Sequence, residues 1–143
     1  MTDRLTALRA AVETTLPQVE GVIALKSGPA GILAPYLYVK EQAEDLSSLA
    51  LWPKEPVPDV MRLIQKAHPD AQLGIVCRGC EERGLVEQAK HAQVELDNIV
   101  LIGLQCTHEE AEFCRCAKPY TVHSEIVVGD PIEGVPDPLT DKI

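Results

Sequence analysis

The sequence predicts an α/β fold, a single domain in which a small, mainly parallel sheet is flanked by helices. Two apolar runs of strand length, residues 73–76 and 99–102, enclose a stretch whose apolar residues recur at helical spacing. A strand, a helix and a second strand of these lengths form a βαβ unit, in which the two strands are parallel. The chain has 143 residues, 45% of them apolar, which is enough to bury one core without disulfide bonds.

The first half of the chain adds further elements. Apolar residues recur at helical spacing before Pro17 and predict an N-terminal helix, and residues 21–25 and 36–39 predict two strands separated by a turn at residues 27–31. Residues 41–49 predict a short helix. The proline-rich stretch 52–58 predicts a rigid connector, after which a helix is expected to carry Val60, Leu63, Ile64 and Ala67 at apolar positions.

The C-terminal residues differ from the rest. From Gly129 onward the chain holds Pro131, Pro136 and Pro138, which favour an extended conformation over a helix or a central strand. We therefore expect an α/β module at residues 1–128 and an extended tail at residues 129–143 that docks on a partner.

Charge and hydropathy exclude some classes of function. The formal net charge is -9, from 22 acidic and 13 basic residues, and no cluster of lysine and arginine interrupts this excess, so we expect no nucleic-acid binding. No run of 18 apolar residues is present, and the first residues predict an amphipathic helix rather than a signal peptide, so we expect a cytoplasmic protein with no membrane span. In a reducing compartment, five cysteines favour a metal or redox site over disulfides.

The cysteines have a spacing that predicts one site. They are Cys77, Cys80, Cys106, Cys114 and Cys116. The right-handed crossover of the βαβ unit should place Cys80 and Cys106 at the carboxyl edge of the sheet, where ligands of open α/β sheets bind. The segment 109–117 can fold back over that edge and bring the last two cysteines to it. Four converging thiolates are what an iron–sulfur cluster or a tetrahedral metal requires. The alternative is a chance grouping of small buried residues.

The spacing favours an iron–sulfur cluster over zinc. Structural zinc sites use paired C-x2-4-C knuckles or closely spaced Cys/His pairs, whereas the second half of this pattern is C-x7-C-x-C. A cluster distributes its ligands over several irons and tolerates such spacing.

The turn around Cys80 suggests two further hypotheses. Cys77 and Cys80 stand where a helix begins, where amide donors and the helix dipole lower the pKa of a thiol, as in a C-x-x-C dithiol oxidoreductase. The backbone amides of Arg78, Gly79 and Glu81 could also bind a phosphate, such as that of FAD. The turn lacks the full glycine-rich dinucleotide fingerprint, and its glutamates place negative charge near that phosphate position.

Two motifs resemble a known family. The stretches IVCRGCEERGL at residues 75–85 and LIGLQC at residues 101–106 are similar to the beta-subunit family of deazaflavin-coenzyme hydrogenases and dehydrogenases, which includes subunits associated with formate dehydrogenases and heterodisulfide-reductase assemblies. The resemblance extends from about residue 72 to residue 106. It implies an oxidoreductase subunit that passes electrons between a flavin or deazaflavin and iron–sulfur clusters. By motif position it indicates Cys80 and Cys106 as the family's cysteines, and Cys77 falls where relatives often carry an apolar residue.

The chain also departs from that family. Its members are longer and often carry a C-x2-C-x2-C-x3-C run, which is absent here, so we expect a truncated or stand-alone version. The resulting hypothesis is an electron-transfer subunit with one 4Fe–4S cluster on Cys80, Cys106, Cys114 and Cys116, and with Cys77 as a substitute ligand. The alternatives are a zinc-stabilised adaptor and a dithiol oxidoreductase that uses Cys77 and Cys80.

Overall fold

A mixed sheet is the centre of the structure. The computed structural model describes residues 3–29, 33–51 and 57–135, and in these ranges six strands join in one sheet. The strands are β1 Gly21–Ser27, β2 Leu33–Tyr38, β3 Leu49–Ala50, β4 Leu73–Cys77, β5 Ile99–Leu104 and β6 Ile126–Val128. Their order is β2-β1-β4-β5-β6, and β3 pairs with the carboxyl-terminal part of β1.

The predicted parallel core of the sheet is confirmed. Strands β1, β4, β5 and β6 run parallel to one another, and the register of the central pair aligns Leu73 with Ile99 and Cys77 with Gly103. The antiparallel members are β2 and β3, which both pair with β1. The fold class expected from the sequence is therefore the observed one.

Helices cover both faces of this sheet. In the described ranges the α-helices are α1 Arg4–Thr15, α2 Val57–Ala67, α3 Gly79–Lys90 and α4 His108–Cys114, and 3-10 helices include Leu16–Gln18, Lys40–Ser48 and Leu96–Asn98. Local sequence explains where two α-helices begin. Asp3 accepts a hydrogen bond from the amide of Leu5 at the start of α1, and Thr107 and Glu110 form a capping box at the start of α4.

Alternation along the strands divides the core into two layers. On one face of the sheet, Val22, Val76 and Ile102 pack with residues of α1 such as Leu8 and Val12. On the other face, Ile23, Ile75 and Leu101 pack with Met61 of α2 and Leu85 of α3. Because side chains of a strand point alternately to its two faces, nearly continuous apolar strands are required for burial on both sides.

Several predicted elements differ from the observed ones in extent or type. The second strand begins at Leu33 instead of residue 36, β4 includes Cys77, and β5 continues to Leu104. The short helix predicted at residues 41–49 is a 3-10 helix at Lys40–Ser48. Parts of the predicted turn (residues 30–32) and of the proline-rich connector (52–56) lie outside the described residues, as does the tail from residue 136. Residues 130–135 form neither helix nor strand.

The prediction that Leu63 lies on the buried side of its helix is wrong. Met61 is fully buried and Gln65 nearly so, whereas Leu63 is 58% exposed. Val60 and Ile64 pack against the core cluster of Met61. The buried stripe of α2 therefore runs through positions 60, 61, 64 and 65, and the helical period places position 63 on the opposite side.

Within the described part of the chain, no helix is both long and apolar enough to span a lipid bilayer.

The two side chains Met61 and Leu63 give a matched test of this packing. Met61→Ala should lower the free energy of unfolding by about 2–5 kcal/mol, because it leaves a cavity at a fully buried position. Leu63→Ala, on the exposed side of the same helix, should change it by less than about 0.5 kcal/mol. Urea unfolding followed by circular dichroism measures both, and equal losses would contradict the assigned orientation of α2.

Candidate cysteine site

The carboxyl edge of the parallel strands carries most of the cysteines. Cys77 is the last residue of β4, Cys80 is the second residue of α3, and Cys106 follows the end of β5 by two residues. Because β4 and β5 are paired in parallel up to Cys77 and Gly103, the segments that follow both strands begin side by side. The structure thus places Cys80 and Cys106 at one edge, as the crossover predicted.

Cys77 faces the core rather than the edge. Its side chain is 1% exposed and belongs to the apolar cluster that contains Ile75 and Leu85. Burial raises the pKa of the Cys77 thiol far above its usual value, and the negative charges of Glu81 and Glu82 raise it further. The expectation that the start of the helix lowers the pKa of this thiol is therefore wrong, because strand alternation turns Cys77 beneath α3.

Three other thiols are electrostatic neighbours. Burial is the largest cause that raises the pKa of Cys106, to about 11, and the negative charge of Glu110 and then the thiols of Cys80 and Cys116 contribute to the same increase. The Arg78 guanidinium opposes this shift. Cys80 and Cys116, which come from two other segments of the chain, are thus near enough to Cys106 to act on it electrostatically.

Cys116 is held by its backbone and by a neighbouring cation. Its amide donates to the carbonyl oxygen of Ala111 over 2.9 Å, and its own carbonyl accepts from the amide of Val135 over 2.8 Å. Nη2 of Arg83 lies 3.8 Å from its Sγ atom. Contacts from α3, α4 and the beginning of the tail thus converge on this residue.

Cys114 differs from Cys116 in exposure. It is the last residue of α4 and is exposed. Arg115 then adopts a left-handed conformation, with φ of 50°, which ends the helix and reverses the chain before Cys116. In the described residues, no three His, Cys, Asp or Glu side chains are arranged so that they could hold a single metal ion.

The segment at residues 115–125, here called the crossing segment, lies over the carboxyl edge. The carbonyl oxygen of Tyr120 occupies the space that a Cβ atom on Gly79 would need. The amide of Cys106 donates to the carbonyl oxygen of Pro119 over 3.2 Å, and Arg83 donates to that of Lys118 over 3.0 Å. Close approach at a glycine therefore allows this segment to cover the start of α3 and to reach Cys106.

A buried carboxylate fixes the far half of the crossing segment. Glu82 is 1% exposed, and its carboxylate accepts hydrogen bonds from the amides of Val122 and His123 at 2.7 and 3.0 Å and from the Ser124 hydroxyl at 2.6 Å. Burial raises the pKa of Glu82, but these hydrogen bonds lower it by more, so the net pKa lies below its ordinary value. Sequence reasoning missed this role because nothing in the local sequence distinguishes Glu82 from Glu81.

An ion-pair network lies beside Cys106. Nη2 of Arg78, whose side chain is 4% exposed, lies 3.4 Å from Oε2 of Glu110, and Arg4 donates to the same carboxylate over 3.0 and 3.3 Å. Both arginines come from other elements, the turn before α3 and the first residue of α1. The network therefore joins three parts of the chain at the edge of the sheet.

The three residues predicted to bind a flavin phosphate have structural contacts here. Arg78 contacts Glu110 and the carbonyl oxygen of Leu51, Gly79 packs under Tyr120, and the Glu81 carboxylate accepts a hydrogen bond from the Arg78 amide over 2.9 Å. The crossing segment thus occupies the space next to this turn. Flavin binding by these residues stays a prediction.

The fold and site together define a class: an α/β domain with cysteines from separate segments near the carboxyl edge of its parallel strands. The chain is 38% identical over 89 residues, 62% of its length, to the F420-dependent formate dehydrogenase 1 subunit beta of Methanococcus maripaludis. It covers 22% of that protein. This match confirms the resemblance to the deazaflavin-coenzyme hydrogenase and dehydrogenase beta-subunit family.

The fold has a counterpart among solved structures. A chain in a structure of the F420-reducing [NiFe] hydrogenase complex from Methanosarcina barkeri matches with a TM-score of 0.55, over 81% of this chain and 39% of that one. The identity is 13%, so this likeness shows a common fold alone. No family model matches the sequence.

The Glu82 carboxylate should make stability depend on pH. Because its pKa is lowered in the folded protein, its contribution is complete above the unfolded pKa of about 4.3 and is lost as the pH falls through the lower folded value. Glu82→Gln should cost about 1.5–3 kcal/mol at pH 7, and the deficit should shrink on acidification.

Urea unfolding of both proteins between pH 3 and pH 7 measures this effect. Glu87→Gln is the matched control, since Glu87 is an exposed carboxylate on the same helix and should give a nearly unchanged profile. A Glu82→Gln deficit that stays constant with pH would show that the ionised carboxylate is not what orders the crossing segment.

Proposed function

We propose that this protein is an electron-transfer subunit of a multi-subunit redox complex and that it carries one iron–sulfur cluster. The observation that carries the proposal is that Cys80 and Cys106 follow two paired parallel strands at one edge of the sheet, where the Cys106 amide bonds to the segment that follows Cys116, in a chain similar to a formate dehydrogenase beta subunit. Cys80, Cys106 and Cys116 follow three separate structural elements, so a site that combines them is a property of the fold and not of local sequence.

The chemistry of the site suits such a cluster. Cysteine thiolates are the usual ligands of iron–sulfur clusters, and a 4Fe–4S cluster takes four of them. In this proposal Cys114 supplies the fourth thiolate, because it is the remaining cysteine outside the core and lies, exposed, at the end of α4. Cys77 is the less suitable ligand, because its thiol is in the apolar core.

The surroundings of the thiols fit an anionic group. Arg78 lowers the electrostatic cost of ionising Cys106, and Arg83 lies 3.8 Å from Sγ of Cys116. A cluster on thiolates supplies one-electron transfer when it is bound, and its reduction potential depends on net charge, hydrogen bonds to sulfur and exposure. In this proposal the cysteines bind the cluster, the crossing segment partly excludes water from it, and Arg78 and Arg83 offset its negative charge.

The proposed partners are redox subunits of the hydrogenase, formate dehydrogenase or heterodisulfide-reductase kind. The chain spans 22% of the length of its curated relative, whose name describes an F420-dependent formate dehydrogenase subunit. In the proposal, the cluster relays electrons between a flavin or deazaflavin site and such partners, and this chain need not transform a substrate itself.

Metal and sulfide analysis of anaerobically reconstituted protein tests the cluster. We expect a broad visible absorbance that dithionite bleaches, with iron and acid-labile sulfide in equal amounts. The single variants Cys80→Ser, Cys106→Ser and Cys116→Ser should each lose most of this absorbance, because each removes a proposed ligand. Cys77→Ala is the matched control and should keep it, since Cys77 is a core residue.

Other results would contradict the proposal. A colourless protein that contains zinc and unfolds with a chelator would indicate the adaptor instead. A metal-free protein that loses thiol-exchange activity on replacement of Cys77 would indicate the dithiol oxidoreductase. If Cys114→Ser kept the full iron and sulfide content, Cys114 would be removed from the ligand set.

A further inference from the structure

A groove lies between α3 and the crossing segment, and we call it the α3 groove. Its volume is about 400 Å³. Its walls include Arg83, Val86 and Lys90 of α3 and Lys118, Tyr120 and Val122 of the crossing segment. Because residues three and four positions apart lie on one face of a helix, the residues of α3 form one continuous wall. The groove therefore depends on the meeting of two segments that are distant in the sequence.

Hydrogen bonds fix the two walls of the α3 groove relative to each other. The Glu82 carboxylate of α3 accepts from the amides of Val122 and His123 over 2.7 and 3.0 Å. Nη1 of Arg83 donates to the carbonyl oxygen of Lys118 over 3.0 Å. The groove is thus formed before any ligand binds, which lowers the conformational entropy that binding would cost.

The α3 groove is positively charged in an acidic chain. Arg83, Lys90 and Lys118 line it together with two carboxylates, whereas the formal net charge of the whole chain is -9. Glu82 is 1% exposed and accepts three hydrogen bonds, and Glu87 lies 3.8 Å from Nζ of Lys90. Within the described ranges, the ion pairs include neither Arg83 nor Lys118. These two cations therefore favour a negatively charged group from outside the chain.

Apolar side chains lie beside these cations. Val122 is 70% exposed, and Val86 and Tyr120 are half-buried. A small anion would contact the cations and leave the valines in water, and the backbone amides of Val122 and His123 already donate to Glu82. Tyrosine and arginine are enriched among the residues that dominate protein–protein binding. The composition of the groove therefore fits a peptide segment that carries both carboxylates and apolar side chains.

We propose that the α3 groove docks an acidic segment of a partner protein. Carboxylates of this segment pair with Arg83 and Lys118, and an apolar side chain next to them packs against Val86, Tyr120 and Val122. Because the rest of this acidic chain repels such a segment, the groove also determines the orientation in which the partner binds. The inference goes beyond the proposed function and does not depend on a cluster, since none of these residues is a cysteine.

Selection from a phage-displayed library of random linear peptides on the immobilised full chain tests the docking surface. We expect the enriched peptides to carry aspartate or glutamate next to apolar residues. Fluorescence anisotropy with the most enriched peptide then measures affinity. Lys118→Glu should weaken binding roughly tenfold, because it replaces an attraction with a repulsion, and added salt should weaken binding to the natural chain. Val122→Ser should weaken it several-fold through loss of apolar contact.

Two variants in α2 are matched controls. Lys66→Glu makes the same change of charge at an exposed lysine outside the groove, and Leu63→Ser makes a similar change of polarity at a side chain that is 58% exposed. Both should leave the affinity unchanged. Because all four replaced side chains are exposed, the variants should keep the circular dichroism spectrum of the natural chain.

Four results would overturn the proposal. The library could yield no binder or no enrichment of acidic residues. Equal weakening by Lys118→Glu and Lys66→Glu would indicate an effect of net charge. Displacement of the peptide by inorganic phosphate, but not by chloride at the same ionic strength, would indicate a small-anion site. A dimer of the natural chain in sedimentation velocity that Lys118→Glu dissociates would show that a second copy occupies the groove.

Discussion

The parallel pairing of β4 with β5 is the constraint on which the cysteine site depends. Its register aligns Cys77 with Gly103, so the chain leaves both strands at the same level of the sheet. The crossover through α3 then returns to the same edge, as right-handed βαβ units do. A slip of one residue would exchange the faces of Val76 and Cys77, and would bring a core thiol into the other apolar layer.

Polar contacts, rather than apolar burial, determine the path of the crossing segment. Glu82 accepts three hydrogen bonds from residues 122–124, and the Gln105 side chain exchanges two with Thr121, at 3.0 and 3.1 Å. Such contacts have direction, whereas apolar contacts do not, so they specify one path over the sheet. Glycine at position 79 permits the close approach, because a side chain there would collide with the backbone at Tyr120.

Local sequence patterns were sufficient to predict the fold, but they did not predict the contacts between distant residues within the cysteine site. The apolar runs predicted β4 and β5, and the crossover rule predicted that Cys80 and Cys106 share an edge, since both follow from local period and chain handedness. The ion pair of Arg4 with Glu110 joins residues that are 106 positions apart, and no periodicity of the sequence predicts such a contact. Cys114 and Cys116 looked equivalent in sequence, but the left-handed conformation of Arg115 separates them.

The two cysteines of the C-x2-C motif lie in different environments, and this difference determines whether they can carry out thiol exchange. Thiol exchange requires an accessible thiolate as the attacking group, and burial in the apolar cluster keeps the Cys77 thiol protonated. Cys80 instead lies at the start of α3 and is only half-buried. A site that combines Cys80, Cys106 and Cys116 requires the crossing segment to lie over this edge, because it bonds to Cys106 and Arg83. Ligand binding at these thiols would therefore be coupled to the order of that segment, and the contacts of Glu82 and Gln105 would contribute to affinity although neither residue touches a thiol ligand.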